Sequence, residues 1–231
     1  MGFRRSDGNL MFLYALYMAA LSIGNLLDSG FVSVIGYPLP ASLLLYPITI
    51  LVLCIICELW TSDEAYRLVF LGISAKFIGI ILLTLSELLS APSAITYTML
   101  ANPDAIRLAN LFGMAFKNIG DRWVIGTSLR MWTGSLLSYS IAQFSTIWTF
   151  NWAYTRHVQK VGSPWGKRWY RYGLSSIVGH TLEYILFTFL VFAPKWELVS
   201  DAFLAHIFFR VVAIFIGVIP FYIITWRTRR S

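Results

Sequence analysis

Long apolar segments separated by short polar connections dominate this chain. A helix needs about 20 mostly apolar residues to cross the roughly 30 Å of hydrocarbon in a bilayer. Six windows meet that requirement, at about 10–27, 42–60, 68–89, 128–150, 172–193 and 203–226. The pattern predicts an all-α polytopic membrane protein, with residues 1–231 forming a single membrane domain of six transmembrane helices.

The connection between the third and fourth spans, residues 90–127, is longer than the others. Asn102, Pro103 and Asp104 are typical of a helix start, because they supply a capping side chain, a proline and an acid in order. Apolar residues then recur at helical spacing up to Ile119. We expect an amphipathic helix on the outer surface, acting either as a substrate lid or as a connector.

The composition agrees with a membrane protein and argues against a nucleic-acid partner. Hydrophobic residues make up 58% of the chain and charged residues 13%, against about 25% charged in soluble domains. The net charge of +7 would suggest nucleic-acid binding in a soluble protein. Here the basic residues lie between apolar blocks, where they orient helices in a lipid bilayer.

Basic residues are unevenly shared between the two predicted sides of the membrane. The N-terminal segment, the second and fourth connections and the C-terminal segment hold eleven Lys and Arg, whereas the other side holds four. Positive residues concentrate on the cytoplasmic side. Both termini are therefore predicted to be cytoplasmic.

Polar and ionisable residues interrupt the predicted spans. An ionisable side chain at mid-bilayer costs about 2.5–3.5 kcal/mol on insertion scales, so it should face protein or water. Helical spacing groups these residues on shared faces. The groups are Ser176, His180, Glu183 and Phe187; Tyr139, Gln143, Thr146 and Phe150; His206 and Arg210; and Cys54 and Glu58. A water-accessible polar cavity at mid-membrane is the simplest structure that accommodates all of them.

Several of these residues have ordinary structural interpretations. Gln and Thr in a span, and Asn25 near the end of the first, often serve only to hold helices together. Arg130 and Glu87 lie near the outer interface and can extend toward water. Lys76, Arg130 and Arg210 could balance Glu58, Glu87 and Glu183, but the sequence does not assign the pairs.

The sequence lacks the motifs of common enzymes and ATPases. It has no HExxH metal motif, nucleophile elbow, Walker loop or dinucleotide glycine fingerprint. Cys54 and Cys57 lie on an apolar helix, where a thiol behaves as a small hydrophobe. We therefore expect no catalytic residues, no metal and no cofactor.

A family resemblance follows from an ordered set of residues across five spans. The chain resembles the queuosine-precursor transporters of the vitamin uptake transporter family. The similar positions are Asn25; Tyr46, Pro47, Thr49, Glu58, Ala65 and Arg67; Arg130, Ser135, Tyr139 and Gln143; Ser175 or Ser176, Glu183 and Phe187; and Arg210, Pro220 and Tyr222. Four positions depart from the family pattern, namely Cys54, Lys76, Thr146 and His180. The chain therefore resembles a divergent member.

The resemblance implies a secondary transporter in the bacterial inner membrane that imports queuine or a related 7-deazaguanine for tRNA modification. The substrate-binding residues it suggests, with the polar positions above, are Asn25, Glu58, Lys76, Tyr139, Gln143, Thr146, His180, Glu183, Phe187 and Arg210. Proton or sodium coupling and a homo-oligomer are both compatible with the sequence.

Two other functions remain open from the sequence. A substrate-binding subunit of an ATPase-driven vitamin importer would have a similar size and topology, and Ala15 and Ala19 could serve its docking. An intramembrane enzyme could use His180 and Glu183 as acid and base. Uptake by the chain alone would distinguish a carrier from a subunit of an ATPase-driven importer. Chemical change of the substrate would reveal an enzyme.

Overall fold

Six helices and one short hairpin make up the part of the chain that the structure describes. The computed structural model describes residues 6–27, 31–34, 37–40, 45–89, 123–162, 168–192 and 197–226. The helices are α1 (Asp7–Leu27), α2 (Tyr46–Leu59), α3 (Ser62–Leu89), α4 (Trp123–Val161), α5 (Arg168–Phe192) and α6 (Glu197–Trp226). Each predicted span coincides with one of these helices.

The hairpin is a departure from the all-helical prediction. Strands β1 (Phe31–Val34) and β2 (Tyr37–Pro40) pair antiparallel, with Phe31 opposite Pro40 and Val34 opposite Tyr37. Aromatic and β-branched residues in this segment favour extended backbone, and its two prolines disfavour helix. The all-helical prediction did not take these short-range preferences into account. They favour the small sheet that lies between α1 and α2 in the chain.

Three helices are long and apolar enough to cross a membrane, judged over the described residues. Their qualifying stretches are Ser62–Leu82 in α3, Arg168–Leu190 in α5 and Ile207–Thr225 in α6. Membrane crossing by α1, α2 and α4 remains a prediction from the sequence.

The turn between α2 and α3 is tighter than the sequence suggested. At the end of α2, the backbone N–H of Trp60 donates a 2.8 Å hydrogen bond to the carbonyl of Ile56. The hydroxyl of Thr61 then accepts the backbone N–H of Glu64 at 3.3 Å, which satisfies a free donor at the start of α3. Helix α3 consequently begins at Ser62, six residues before the predicted start, and Arg67 lies within it rather than in a turn.

Helix α4 is the longest, with 39 residues and a length of about 58 Å. It begins at Trp123, so the last residues of the predicted outer segment 90–127 are helical. The predicted helix start at Asn102 and the amphipathic stretch after it lie outside the described residues. Their role as lid or connector stays a prediction.

Helix α2 is the centre of the bundle. It contacts each of the other five helices, and most of its side chains from Thr49 to Ile56 are buried. Packed against it are Leu13, Tyr17, Phe150, Tyr172 and Phe221. Large apolar side chains cover the outside of the bundle, as expected for a lipid-facing surface, among them Phe70, Phe77, Phe189, Phe215 and Ile223.

Candidate functional site

Polar side chains from several helices are buried together inside the bundle. We call this group the central cluster and define it as Lys76 on α3; Tyr139, Gln143 and Thr146 on α4; His180 and Glu183 on α5; and Arg210 on α6. Seven of the ten predicted site residues therefore belong to it. The helical spacing of the polar residues explains why α4 and α5 each present theirs on one face.

Glu183 is the acid of the central cluster. Its Oε2 atom lies 3.3 Å from Nη1 of Arg210 and 3.9 Å from Nδ1 of His180. Arg210 also donates to the backbone carbonyl of His180, which holds α6 against α5. Both side-chain contacts involve the same carboxylate oxygen, Oε2, rather than Oε1.

Lys76 supplies a second cation. Its ammonium donates to Oγ of Ser135 at 2.8 Å and lies 5.1 Å from the ring centroid of Tyr139. It is also close enough to Glu183 to interact with it electrostatically. The Tyr139 hydroxyl forms a buried hydrogen bond with the hydroxyl of Tyr17 on α1. Lys76 is thus held by α4 at the edge of the same polar group.

Gln143 connects the central cluster to α2. Its Nε2 donates to Oγ1 of Thr49 at 3.3 Å, while its Oε1 is buried and has no hydrogen-bond partner among the described residues. Nε of Arg210 is in the same situation. Buried polar atoms in native proteins nearly always find a partner, so each of these two atoms is a candidate contact for water or a ligand.

Thr146 and Phe187 lie beside this polar group in different ways. The Thr146 hydroxyl donates to the carbonyl of Ala142 at 2.8 Å, and its side chain packs against Gly179, the residue before His180. Phe187 follows Glu183 by one helical turn and is half-buried. Thr146 therefore fills space between α4 and α5, and Phe187 extends the polar face with an aromatic ring.

Glu58 belongs to a different group, which we call the arginine cluster: Glu58, Arg168 and Arg171. Oε1 of Glu58 lies 2.8 Å from Arg171 and 3.1 Å from Arg168, with all three side chains almost fully buried. Twelve residues of α5 separate Arg171 from Glu183, which corresponds to about 18 Å along the helix axis. The structure therefore does not bring Glu58 to the central cluster.

The sequence places Arg168 and Arg171 in a polar connection, whereas the structure places them inside the bundle. Arg168 donates to the carbonyl of Thr225 on α6, and Arg171 lies 4.9 Å from the ring centroid of Tyr154. Helix α5 starts at Arg168, earlier than predicted, which carries both into the bundle. The sequence signal for this burial is the three-residue spacing of the two arginines, which puts them on one helix face, together with Glu58, an acid with no assigned partner.

Other candidate residues fall where the side chains are not described, namely Asn25, Glu87, Arg130 and His206. The predicted binding role of Asn25 stays a prediction. Within the described residues, no group of three His, Cys, Asp or Glu side chains is arranged to hold a metal.

Comparison with known protein families places the chain among transport proteins. The sequence profile of a family described as "Putative vitamin uptake transporter" matches residues 40–225. The chain belongs to this family. The resemblance drawn from the spans is thereby confirmed at the level of the family, and membership favours transport over catalysis. No curated protein and no solved structure matches the chain.

The family match covers α2 to α6 but not α1. Every residue of the central cluster lies within 40–225, whereas Tyr17, the partner of Tyr139, lies before it. Family membership and the apolar helices together identify a membrane transport protein.

Proposed function

We propose that this family member is a secondary transporter that imports a queuosine precursor, a 7-deazaguanine, for tRNA modification. It works in the bacterial cytoplasmic membrane with both termini cytoplasmic, and binds its substrate at the central cluster. The observation that carries the proposal is a buried carboxylate, Glu183, close enough to a buried ammonium, Lys76, to interact with it, in a bundle interior that also buries the amide of Gln143. These groups complement a guanine-like ring.

The hydrogen-bonding edge of a deazaguanine has one acceptor and adjacent N–H donors. A single carboxylate accepts two such donors side by side, and Glu183 faces Arg210 and His180 through Oε2. Lys76 has three donors and can serve the ring carbonyl. The unbonded Oε1 of Gln143 supplies a further acceptor, so donors and acceptors match along the edge.

Aromatic rings and the remaining polar groups complete the proposed site. Phe187 lies on the same face of α5 as Glu183 and can stack on a planar ring. Tyr139 is held in place by Tyr17 and Lys76. Arg210 holds the Glu183 carboxylate, and His180 lies 3.9 Å from the same oxygen. In this proposal Arg210 balances charge, and Glu58 contributes through the arginine cluster rather than by touching the substrate.

Replacing Glu183 tests the assignment. Glu183→Gln keeps the shape of the side chain but removes the charged acceptor, and uptake of labelled queuine by cells expressing the variant should fall at least tenfold. Membrane abundance, measured by immunoblot, should stay near that of the unaltered protein. The matched control is Asp63→Asn, an exposed acid at the start of α3, which should keep its uptake. Normal uptake by Glu183→Gln would exclude this site.

Uptake by the purified chain separates a carrier from its rivals. Proteoliposomes containing only this protein should accumulate or exchange labelled 7-deazaguanine without ATP. Binding without transport would instead identify a substrate-binding subunit of an ATPase-driven importer. A chemically altered product would identify an enzyme. Imposed proton and sodium gradients in the same vesicles determine which ion, if either, drives uptake.

A further inference from the structure

A layer of buried side chains lies between the central cluster and the arginine cluster. We call it the middle layer and define it as Cys54 on α2, Phe150 on α4, Tyr172 and Ser175 on α5, and Phe221 on α6. The ring of Phe221 stacks on that of Tyr172 with centroids 5.0 Å apart, and it meets Phe150 edge-on at 6.3 Å. Sγ of Cys54 lies 3.4 Å from Oγ of Ser175. Four helices therefore pack side chains between the two polar clusters.

The three groups follow one another in the same order along the helices. On α2, Cys54 precedes Glu58 by one helical turn, and on α5, Ser175 follows Arg171 by one turn and precedes Glu183 by about two. The arginine cluster lies where α2 ends and α5 begins, the end that the basic residues predict to be cytoplasmic. A solute at the central cluster would therefore pass the middle layer and then the arginine cluster on its way to the cytoplasm.

Helix α6 is attached to α5 at both depths, and a proline lies between the two attachments. Arg210 pairs with Glu183 at 3.3 Å, and near the end of the helix the carbonyl of Thr225 accepts a hydrogen bond from Arg168. Pro220 lies inside the helix and has no N–H to donate to the carbonyl four residues earlier, so the helix bends most easily there. The end of α6 is thus held by the arginine cluster and joined to the rest of the helix at a weak point.

Resting on the proposed function only in that a carrier must open to the cytoplasm, we propose that the arginine cluster and the middle layer form the cytoplasmic gate of the transport path. With the arginine cluster intact and Phe221 stacked on Tyr172, the gate is closed. When Arg168 releases the carbonyl of Thr225, the end of α6 bends away at Pro220. The middle layer then separates and the substrate leaves.

Cys54 provides a reporter for the opening of this gate. It is 1% exposed, and a buried thiol is inert. It lies one helical turn from Glu58, so water that passes an open arginine cluster would reach it. Since the sequence has only two cysteines, Cys57→Ala leaves Cys54 as the single thiol of the full-length protein. In inverted membrane vesicles, a membrane-impermeant methanethiosulfonate reagent then measures how fast this thiol is reached from the cytoplasmic face.

Replacing one arginine should open the gate. Arg168→Gln removes the guanidinium group that holds the end of α6, while Glu58 keeps its 2.8 Å contact with Arg171. In the Cys57→Ala background it should raise the rate of Cys54 modification from the cytoplasmic face at least tenfold.

A matched control and a second face separate gating from loss of structure. Arg156 on α4 is exposed and lies 5.4 Å from the ring centroid of Trp152, so Arg156→Gln should leave the rate of modification unchanged. In right-side-out vesicles, Arg168→Gln should not raise the rate, because the gate opens to one side only. A general loss of structure would raise the rate from both faces.

Pro220→Ala tests the bend and does not depend on the folding of Arg168→Gln. Alanine restores the missing N–H and straightens the helix, so the basal rate of Cys54 modification from the cytoplasmic face should fall at least threefold. If the rate is unchanged, the end of α6 is not the moving part of the gate.

The outcomes against the gate and against the proposed function differ. Unchanged modification in Arg168→Gln, or a rise that is equal from both faces, overturns the gate. A rise from the outer face alone overturns its assignment to the cytoplasmic side. None of these measurements uses a deazaguanine, so a failure to take up that substrate overturns the proposed function without affecting them.

Discussion

The absence of a side chain at position 179 allows α4 and α5 to meet beside the central cluster. A Cβ atom there would collide with Oγ1 of Thr146 and lie 3.4 Å from Cδ1 of Ile50. Gly179→Ala should therefore lower the free energy of unfolding by about 1–3 kcal/mol, as overpacked cores do. Thermal unfolding of the purified protein in detergent measures the change.

Two further variants separate this collision from a general effect of replacing glycine. Gly173, on the same helix, has nothing within 4 Å of an added Cβ, so Gly173→Ala should be neutral or slightly stabilising. Thr146→Ala removes the colliding oxygen and should restore most of the stability lost in Gly179→Ala. Equal losses in both glycine variants would contradict the packing account.

The sequence predicts which residues share one face of a helix, but it does not predict which residues of different helices contact each other. The periodicity correctly placed His180 and Glu183 on one buried face, since that depends only on helical geometry. The contacts of Lys76 with Ser135 and Tyr139 depend on which helices are neighbours and how each is rotated about its axis. Without that information the sequence could not assign Glu58 to Arg168 and Arg171.

At the scale of elements, the arginine cluster joins α2, α5 and α6. Glu58 on α2 is held by two guanidinium groups of α5, one of which also bonds to the backbone of α6. Removing one partner of a buried ion pair leaves the other charged and unpaired, at a cost of about 3–5 kcal/mol. Glu58→Gln should therefore destabilise the protein strongly, as measured by thermal unfolding in detergent.

The matched control for this variant is an exposed pair in the next helix. Glu64 lies 2.8 Å from Arg67, whose side chain is 71% exposed, and exposed pairs contribute about 1 kcal/mol or less. Arg67→Gln should thus have a small effect, since it leaves Glu64 bonded to the Tyr14 hydroxyl. If the two variants unfold at the same temperature, the arginine cluster does not hold these helices together.

Apolar runs predict that the helices exist, whereas the positions of the helix ends depend on capping residues and on the burial of individual polar side chains. The early start of α3 follows from the Thr61 hydroxyl and the acids after it, which are capping signals that a hydropathy window ignores. The early start of α5 follows from burial of two arginines, which hydropathy counts as polar. The hairpin contains too few residues to register in a window of about 20.

At the scale of the whole molecule, the ends of α2, α4 and α6 and the start of α5 should lie on one side of the membrane. Glu58, Tyr154, Arg168 and Thr225 meet there. Although Arg168 and Arg171 are buried and no longer count as connection charges, the remaining basic residues still favour this side as cytoplasmic.

Reporter fusions test the predicted topology. Green fluorescent protein fused after residue 165 or residue 231 should fluoresce, because it folds in the cytoplasm. Alkaline phosphatase fused after residue 105 should be active, because it folds only after export. An active phosphatase at residue 231 would place the C-terminus outside, against the prediction. Phosphatase activity at both 165 and 231 with none at 105 would invert the predicted side of all three points.

Helix α2 has only 14 residues, and its length of about 21 Å is shorter than the roughly 30 Å of hydrocarbon that a spanning helix must cross. The hairpin precedes it in the chain, with β2 beside α6. Non-helical backbone at membrane depth must be shielded by protein or reached by water. With the predicted topology, the start of α2, where Thr49 bonds to Gln143, would lie toward the outer side, and the hairpin would stand on the path of a solute that reaches Gln143 from outside.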